Sequence, residues 1–285
     1  MIKRGIIKPE ITGSHVGDER FGWLPQRNVK FTSDFCGSTA KYTIGPKGER
    51  AIPKPKDPIG KILFVGGSFT RGHCVNDNES YPYILATEYW KKWEVENMAV
   101  SGFGTHQAYM TLSDSVKSDK PPSVVIYGMI PHHIRRNYLR REWLESIAPR
   151  TLPRFELLNE ELVFKGTVGL PSAIDDGPEL RKKEFEMTSA YLKAMQKMCA
   201  EKNIPFIVIF LPPGSGYPLS VIYTIYKFNI LSLDLGILEF EGISKKNRHP
   251  NRMDNRRIAI AIANSFVSDK LHNLEGHDLL RSRNQ

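Results

Sequence analysis

The sequence predicts an α/β fold, a parallel sheet covered by helices on both faces. Three observations carry this. From residue 60 onward, short apolar runs alternate with amphipathic stretches, the order expected of strands joined by crossover helices. The strand-like runs Ile62–Val65, Val124–Tyr127 and Ile204–Leu211 are continuously apolar rather than alternating, so both of their faces are buried. The first of them breaks at Gly66-Gly67 and is followed at once by Ser68. A hydroxyl at the carboxyl end of a buried parallel strand faces the crevice where open α/β sheets hold their ligands.

Taken in order, residues 1–57 carry many turn formers and little helical pattern. Phe21-Gly22-Trp23-Leu24-Pro25 reads as an anchored extended segment, and Tyr42-Thr43-Ile44 as a strand before a turn at Gly45-Pro46-Lys47-Gly48. With too few apolar residues for its own core, this region is expected to be an arm packed on the main domain. Ala51–Pro58 holds three prolines and suits a connector. The main domain is expected over 58–268. After strand Ile62–Val65 come a helix near Ser80–Trp90, a short strand Trp93–Glu96, a helix near Thr105–Val116 and strand Val124–Tyr127. A long amphipathic helix near Glu179–Glu201 precedes strand Ile204–Leu211. A helix near Leu219–Phe228, a strand Ile230–Leu235 and a helix near Arg252–Val267 complete the pattern. On the last helix, Ile258, Ala259, Ile262, Ala263 and Phe266 share one stripe. Residues 138–178 interrupt the rhythm and read as an insertion above the sheet, with a hairpin turning near Asn159-Glu160. Residues 269–285 read as a polar C-terminal tail.

The 285 residues suffice for one large domain, and 40% hydrophobic with 25% charged residues is ordinary for a globular chain. No apolar run is long enough to span a bilayer. The start has no apolar core of signal-peptide length, so a cytoplasmic location is expected. Cys36, Cys74 and Cys199 are odd in number and lack metal-type spacing. They are expected to be small buried side chains, with no disulfide framework, metal or other cofactor. The net charge is +9, with basic clusters at Arg135-Arg136…Arg140-Arg141 and at Lys245-Lys246…Arg256-Arg257. Such patches attract anionic partners. No nucleic-acid motif accompanies them, so a solvated surface is the simpler reading and nucleic acid is not an expected partner.

Four local patterns have intervals that fit one site. Ser68 is the first. The turn Val100-Ser101-Gly102-Phe103-Gly104-Thr105 is the second, where the N–H of Gly102 suits an oxyanion hole. The third is Met129-Ile130-Pro131-His132-His133, where an imidazole is placed to donate to an oxyanion or to orient substrate. The fourth is His249-Pro250-Asn251-Arg252-Met253-Asp254. Asn251 and Asp254 are spaced as a capping pair, which leaves His249 just ahead of a helix and free to point back over the sheet. Each of the four also has a plain reading as a polar loop.

Together these residues resemble the SGNH (GDSL-like) hydrolase superfamily. The match runs through Gly66-Gly67-Ser68-Phe69-Thr70-Arg71-Gly72, the glycine turn at Gly102, and His249-Pro250-Asn251. Glu79-Ser80-Tyr81-Pro82 and Tyr42…Gly48-Glu49-Arg50 add to it, over about residues 20–267. The resemblance implies a three-layer, flavodoxin-like fold with a five-stranded parallel sheet in the order 2-1-3-4-5. It makes Ser68 the nucleophile, His249 the base and Gly102 an oxyanion donor. It implies a serine esterase acting on an O-acyl ester through an acyl-enzyme, with an O-acetyl group on a carbohydrate as the expected substrate. That substrate is a small-molecule or glycan ester, and the basic clusters leave an anionic one open. The alternatives are a polysaccharide O-acyltransferase or a catalytically degenerate glycan-binding protein of the same fold. Three positions depart from the family pattern. Gly67 stands where aspartate is commonest. His132 or His133 falls where an asparagine belongs. Lys246 and Asn247 stand where an aspartate would orient the histidine. The orienting group is then Asn247, a backbone carbonyl, or an acid from elsewhere such as Glu239 or Glu241.

Overall fold

A computed structural model describes residues 15–34, 36, 39–212, 217–242 and 248–281. Its centre is a five-stranded parallel sheet built from β1 (Lys61–Gly66), β2 (Glu94–Asn97), β3 (Val124–Met129), β4 (Phe206–Phe210) and β5 (Leu231–Asp234). The strands lie in the order 5-4-3-1-2, the reverse reading of 2-1-3-4-5, and every pairing is parallel.

Alternate residues of each strand feed two cores, as a doubly covered sheet requires. Ile62, Phe64, Ile126 and Ile209 face one side, against Tyr81, Leu85, Trp90, Ile258 and Ile262. Leu63, Val65, Tyr127 and Val208 face the other, against Leu112, Leu192, Met195 and Val221. The covering helices are α1 (Ser68–Arg71), α2 (Thr105–Val116), α3 (Pro178–Ala200), α4 (Leu219–Lys227), α5 (Arg252–Ala263) and α6 (Phe266–Arg281). Residues 269–281, expected to be a polar tail, continue α6. Val267, Leu271 and Leu274 are spaced i, i+4, i+7 and pack on the first core.

The arm forms two antiparallel hairpins, His15–Asp18 with Gly22–Pro25 and Val29–Ser33 with Ala40–Ile44. Phe21 and Trp23 enter a third core with Phe103, Leu144, Leu152, Phe155 and Tyr191. The arm and the 138–178 segment therefore share one apolar cluster. The hairpin in that segment pairs Leu152–Leu158 with Glu161–Val168 and turns at Asn159-Glu160, both with positive φ (50° and 65°). Two consecutive left-handed residues match the right-handed strand twist.

One expectation is corrected. Cys36 and Cys74 form a disulfide, with Cα atoms 5.7 Å apart. Their 38-residue separation hides the pairing from the sequence. The hairpin ending at Ala40–Ile44 folds back over the loop after α1, where the Tyr42 hydroxyl accepts from the Cys74 N–H at 2.7 Å. Cys199 is a buried free thiol in the second core, and burial pushes its pKa up to about 12. Among the described residues no helix is long and apolar enough to cross a membrane.

Candidate active site

The carboxyl ends of β1 and β3 and the start of α5 meet at one point. β1 stops at Gly66, whose φ of 150° a side chain would strain. A Cβ there would come within 2.7 Å of the Gly128 carbonyl oxygen, so the strand end is fixed against β3. Ser68 opens α1, 4% exposed. Asn97 ties α1 to the glycine turn. Its amide donates to the Thr70 carbonyl at 2.9 Å and its oxygen accepts from the Ala99 N–H at 3.2 Å. The Tyr81 hydroxyl donates to Thr70 Oγ1 at 3.0 Å.

His249 Nε2 lies 2.9 Å from Ser68 Oγ. The segment carrying it is clamped from α5. Asn251 caps that helix, its side-chain oxygen accepting from the N–H groups of Met253 and Asp254 at 2.8 and 2.9 Å. Asp254 returns a carboxylate oxygen to the Asn251 N–H at 3.0 Å and also accepts from the N–H groups of Glu241 and Gly242. Asn255 donates to the Pro250 carbonyl at 3.1 Å and accepts from the Tyr81 N–H at 3.1 Å. The imidazole packs against the rings of Phe69 and His73, with centroids 5.5 and 4.7 Å away. Burial first, then the charges of Arg136 and His132, lowers the His249 pKa to about 4. The ring is therefore neutral at neutral pH.

Of the two histidines after β3, His132 is exposed and His133 is buried. His133 Nδ1 is 2.9 Å from the Tyr127 hydroxyl, which is 2.9 Å from Thr105 Oγ1. His133 Nε2 is wholly buried and has no hydrogen-bond partner among the described residues. It faces Gly67, where a Cβ would overlap it. Burial, then Arg136, pushes the His133 pKa well below the ordinary histidine value, and burial raises the Tyr127 phenol. Both groups are therefore uncharged.

The glycine turn lies under two indoles. Trp23 Nε1 donates to the Ser101 carbonyl at 3.3 Å, and a Cβ on Gly102 would come within 3.1 Å of Trp23 and 3.6 Å of Trp143. Gly102 has φ +87°, and its N–H has no backbone acceptor among the described residues. In a trans peptide the N–H points away from the carbonyl, so the Gly102 N–H points away from Trp23.

The proposed orienting acids are not brought to His249. Glu241 pairs with Arg257 at 3.0 Å, and Glu239 is exposed. Asn247 lies outside the described residues. The side chains that the sequence reading missed are Tyr127, Thr105, Asn255 and Arg136. Tyr127 and Thr105 read there as core and helix start, and nothing in their spacing shows that they bracket an imidazole. The ligand atoms of Cys36, His73 and Cys74 lie within 4.8 Å of one another, but the two sulfurs are bonded together and offer no thiolate to a metal.

No family model and no curated relative matches the chain. Solved structures do. A lipolytic protein of the G-D-S-L family from Desulfitobacterium hafniense is 17% identical, over 72% of this chain and 98% of that one, with a TM-score of 0.44. The psychrotrophic esterase EstA from Pseudoalteromonas is 14% identical, over 75% and 99%, with a TM-score of 0.49. A lipolytic G-D-S-L protein from Veillonella parvula is 13% identical, over 73% and 98%, with a TM-score of 0.42.

Proposed function

We propose that the chain is a serine esterase that hydrolyses an O-acyl ester through an acyl-enzyme on Ser68. The observation that carries this reading is the 2.9 Å contact between Ser68 Oγ and His249 Nε2, across 181 residues of sequence. A serine hydroxyl is a weak nucleophile until a base takes its proton. As Ser68 Oγ bonds to the acyl carbon, its proton passes to His249 Nε2 and the carbonyl electrons move to oxygen. The oxyanion is met by the N–H groups of Ser68 and Gly102 and by His133 Nε2–H. That last donor follows from the buried relay. If Thr105 donates to Tyr127, and Tyr127 donates to His133 Nδ1, the remaining ring proton sits on Nε2. Protonated His249 then gives its proton to the departing alcohol oxygen. Water, deprotonated by His249, releases the acid in the second half-reaction.

The His249 imidazole packs on the rings of Phe69 and His73, and Asn255 fixes the loop that carries it. The finer expectation, an O-acetyl group on a carbohydrate, belongs to the proposal and is checked by acetate release from acetylated sugars. The central test is labelling by a fluorophosphonate probe. The expected result is one adduct on Ser68, absent in Ser68→Ala and strongly slowed in His249→Ala. An unlabelled native protein, beside a serine esterase that labels, would sink the reading.

A further inference from the structure

The basic run Arg135-Arg136…Arg140-Arg141 looks uniform in sequence but is not uniform in space. Arg135 pairs with Glu142 at 2.7 Å. Arg140 pairs with Glu184 at 2.6 Å and Asp176 at 2.9 Å, and Arg141 pairs with Asp175. Arg136 has no carboxylate partner among the described residues. Its NH1 donates to the Phe103 carbonyl at 3.2 Å, and its guanidinium carbon lies 4.5 Å from the centre of the Trp143 ring. Both contacts hold it beside the glycine turn, since Phe103 follows Gly102 and Trp143 covers Gly102. It also follows His133 by three residues, and its charge is felt at His249.

A guanidinium partly withdrawn from water is costly unless an anion meets it. Here the cation is half-buried at the rim of the Ser68–His249 site, and the described residues supply no counter-charge. We infer that Arg136 binds a negatively charged group carried by the substrate, so that the site selects anionic esters over neutral ones. The location of the substrate rests on the proposed function; the unmatched cation does not. A guanidinium offers paired N–H groups to a carboxylate or to a sulfate-type anion alike.

The test compares matched esters. On the alcohol side these are 4-acetoxybenzoate, 4-acetoxybenzenesulfonate and the neutral methyl 4-acetoxybenzoate. On the acyl side they are monoethyl succinate and ethyl butyrate. Each kcat/KM is normalised to the rate of that ester with hydroxide. The expected result is a preference of about tenfold or more for the charged member of at least one pair, weakening as salt is added. Arg136→Gln removes that preference and Arg136→Lys keeps part of it. The sulfonate arm separates a carboxylate site from a general anion site. Ratios near one in both pairs, or a ratio unchanged in Arg136→Gln, overturn the inference. Calorimetry with Ser68→Ala covers the case in which no ester turns over. Binding of the charged compounds, lost in Ser68→Ala/Arg136→Gln, upholds the anion site while the esterase reading fails. Absence of any charge preference in that titration overturns the site itself.

Discussion

Gly67 and His133 stand far apart in sequence, yet the identity of one constrains the other in space. The His133 ring lies where a side chain on residue 67 would begin. An imidazole reaches further than an asparagine amide, and only glycine leaves it room. Gly67→Ala is therefore expected to displace the ring and lower kcat by about 100-fold, the scale of one lost oxyanion donor. His133→Ala should cost a similar factor. The pair Gly67→Asp/His133→Asn should be more active than either single change predicts, which steady-state kinetics on all four proteins would show; strict additivity would deny the coupling. His249 gives a second expectation at this scale. Only the neutral ring accepts the serine proton, and burial with Arg136 and His132 lowers its pKa to about 4. The acid limb of kcat/KM should fall near pH 4 rather than at the ordinary histidine value, leaving mildly acidic solutions active. Arg136→Gln should move the limb upward.

At the scale of elements, the loop bearing His249 depends on α5. Asp254, fully buried, accepts from the N–H groups of Glu241, Gly242 and Asn251 and meets Arg257 at 3.4 Å. Asp254→Ala removes the cap partner and leaves the buried Gly242 N–H without its acceptor. A loss of about 3 kcal/mol is expected in denaturant unfolding, with a larger loss of activity than of secondary structure. The cap itself was legible, because Asn251 and Asp254 stand three apart before an apolar stripe. So was α2, which spans Thr105–Val116 as its periodicity indicates. Two other stretches were not legible. The expected helix over Ser80–Trp90 changes its winding at Leu85, where the Trp90 N–H reaches back to the Leu85 carbonyl, five residues away. Both windings place the same apolar residues inward, so the pattern does not separate them. The hairpin from His15 to Pro25 has strands of four residues, too short for a period of two to register. Its turn is made by Asp18, whose side chain accepts from the N–H groups of Arg20 and Phe21.

For the whole molecule, the alternation of strands and helices was readable from the apolar runs, whereas the sheet order and the pairing of Ser68 with His249 came from the resemblance and not from spacing. The site's second layer was not readable, because Tyr127, Thr105 and Arg136 act through contacts that no spacing encodes. The same holds for the disulfide. Its loop of about 38 residues constrains the unfolded chain, and the chain-entropy relation gives about 4 kcal/mol for a closure of that length. Cys36→Ala/Cys74→Ala should lower thermal stability accordingly. A native protein whose melting is indifferent to dithiothreitol would argue against the bond.

That bond closes a covalent ring from residue 36 to residue 74, and Ser68 is one of its members. A protease cut between the two cysteines would leave the pieces attached, so non-reducing electrophoresis would show an uncut mass. His73, which packs on the His249 imidazole, is the ring's penultimate residue. Assays with and without a thiol reductant therefore address two different covalent topologies, and any gap between their rates measures how far a tether in the arm steadies the base.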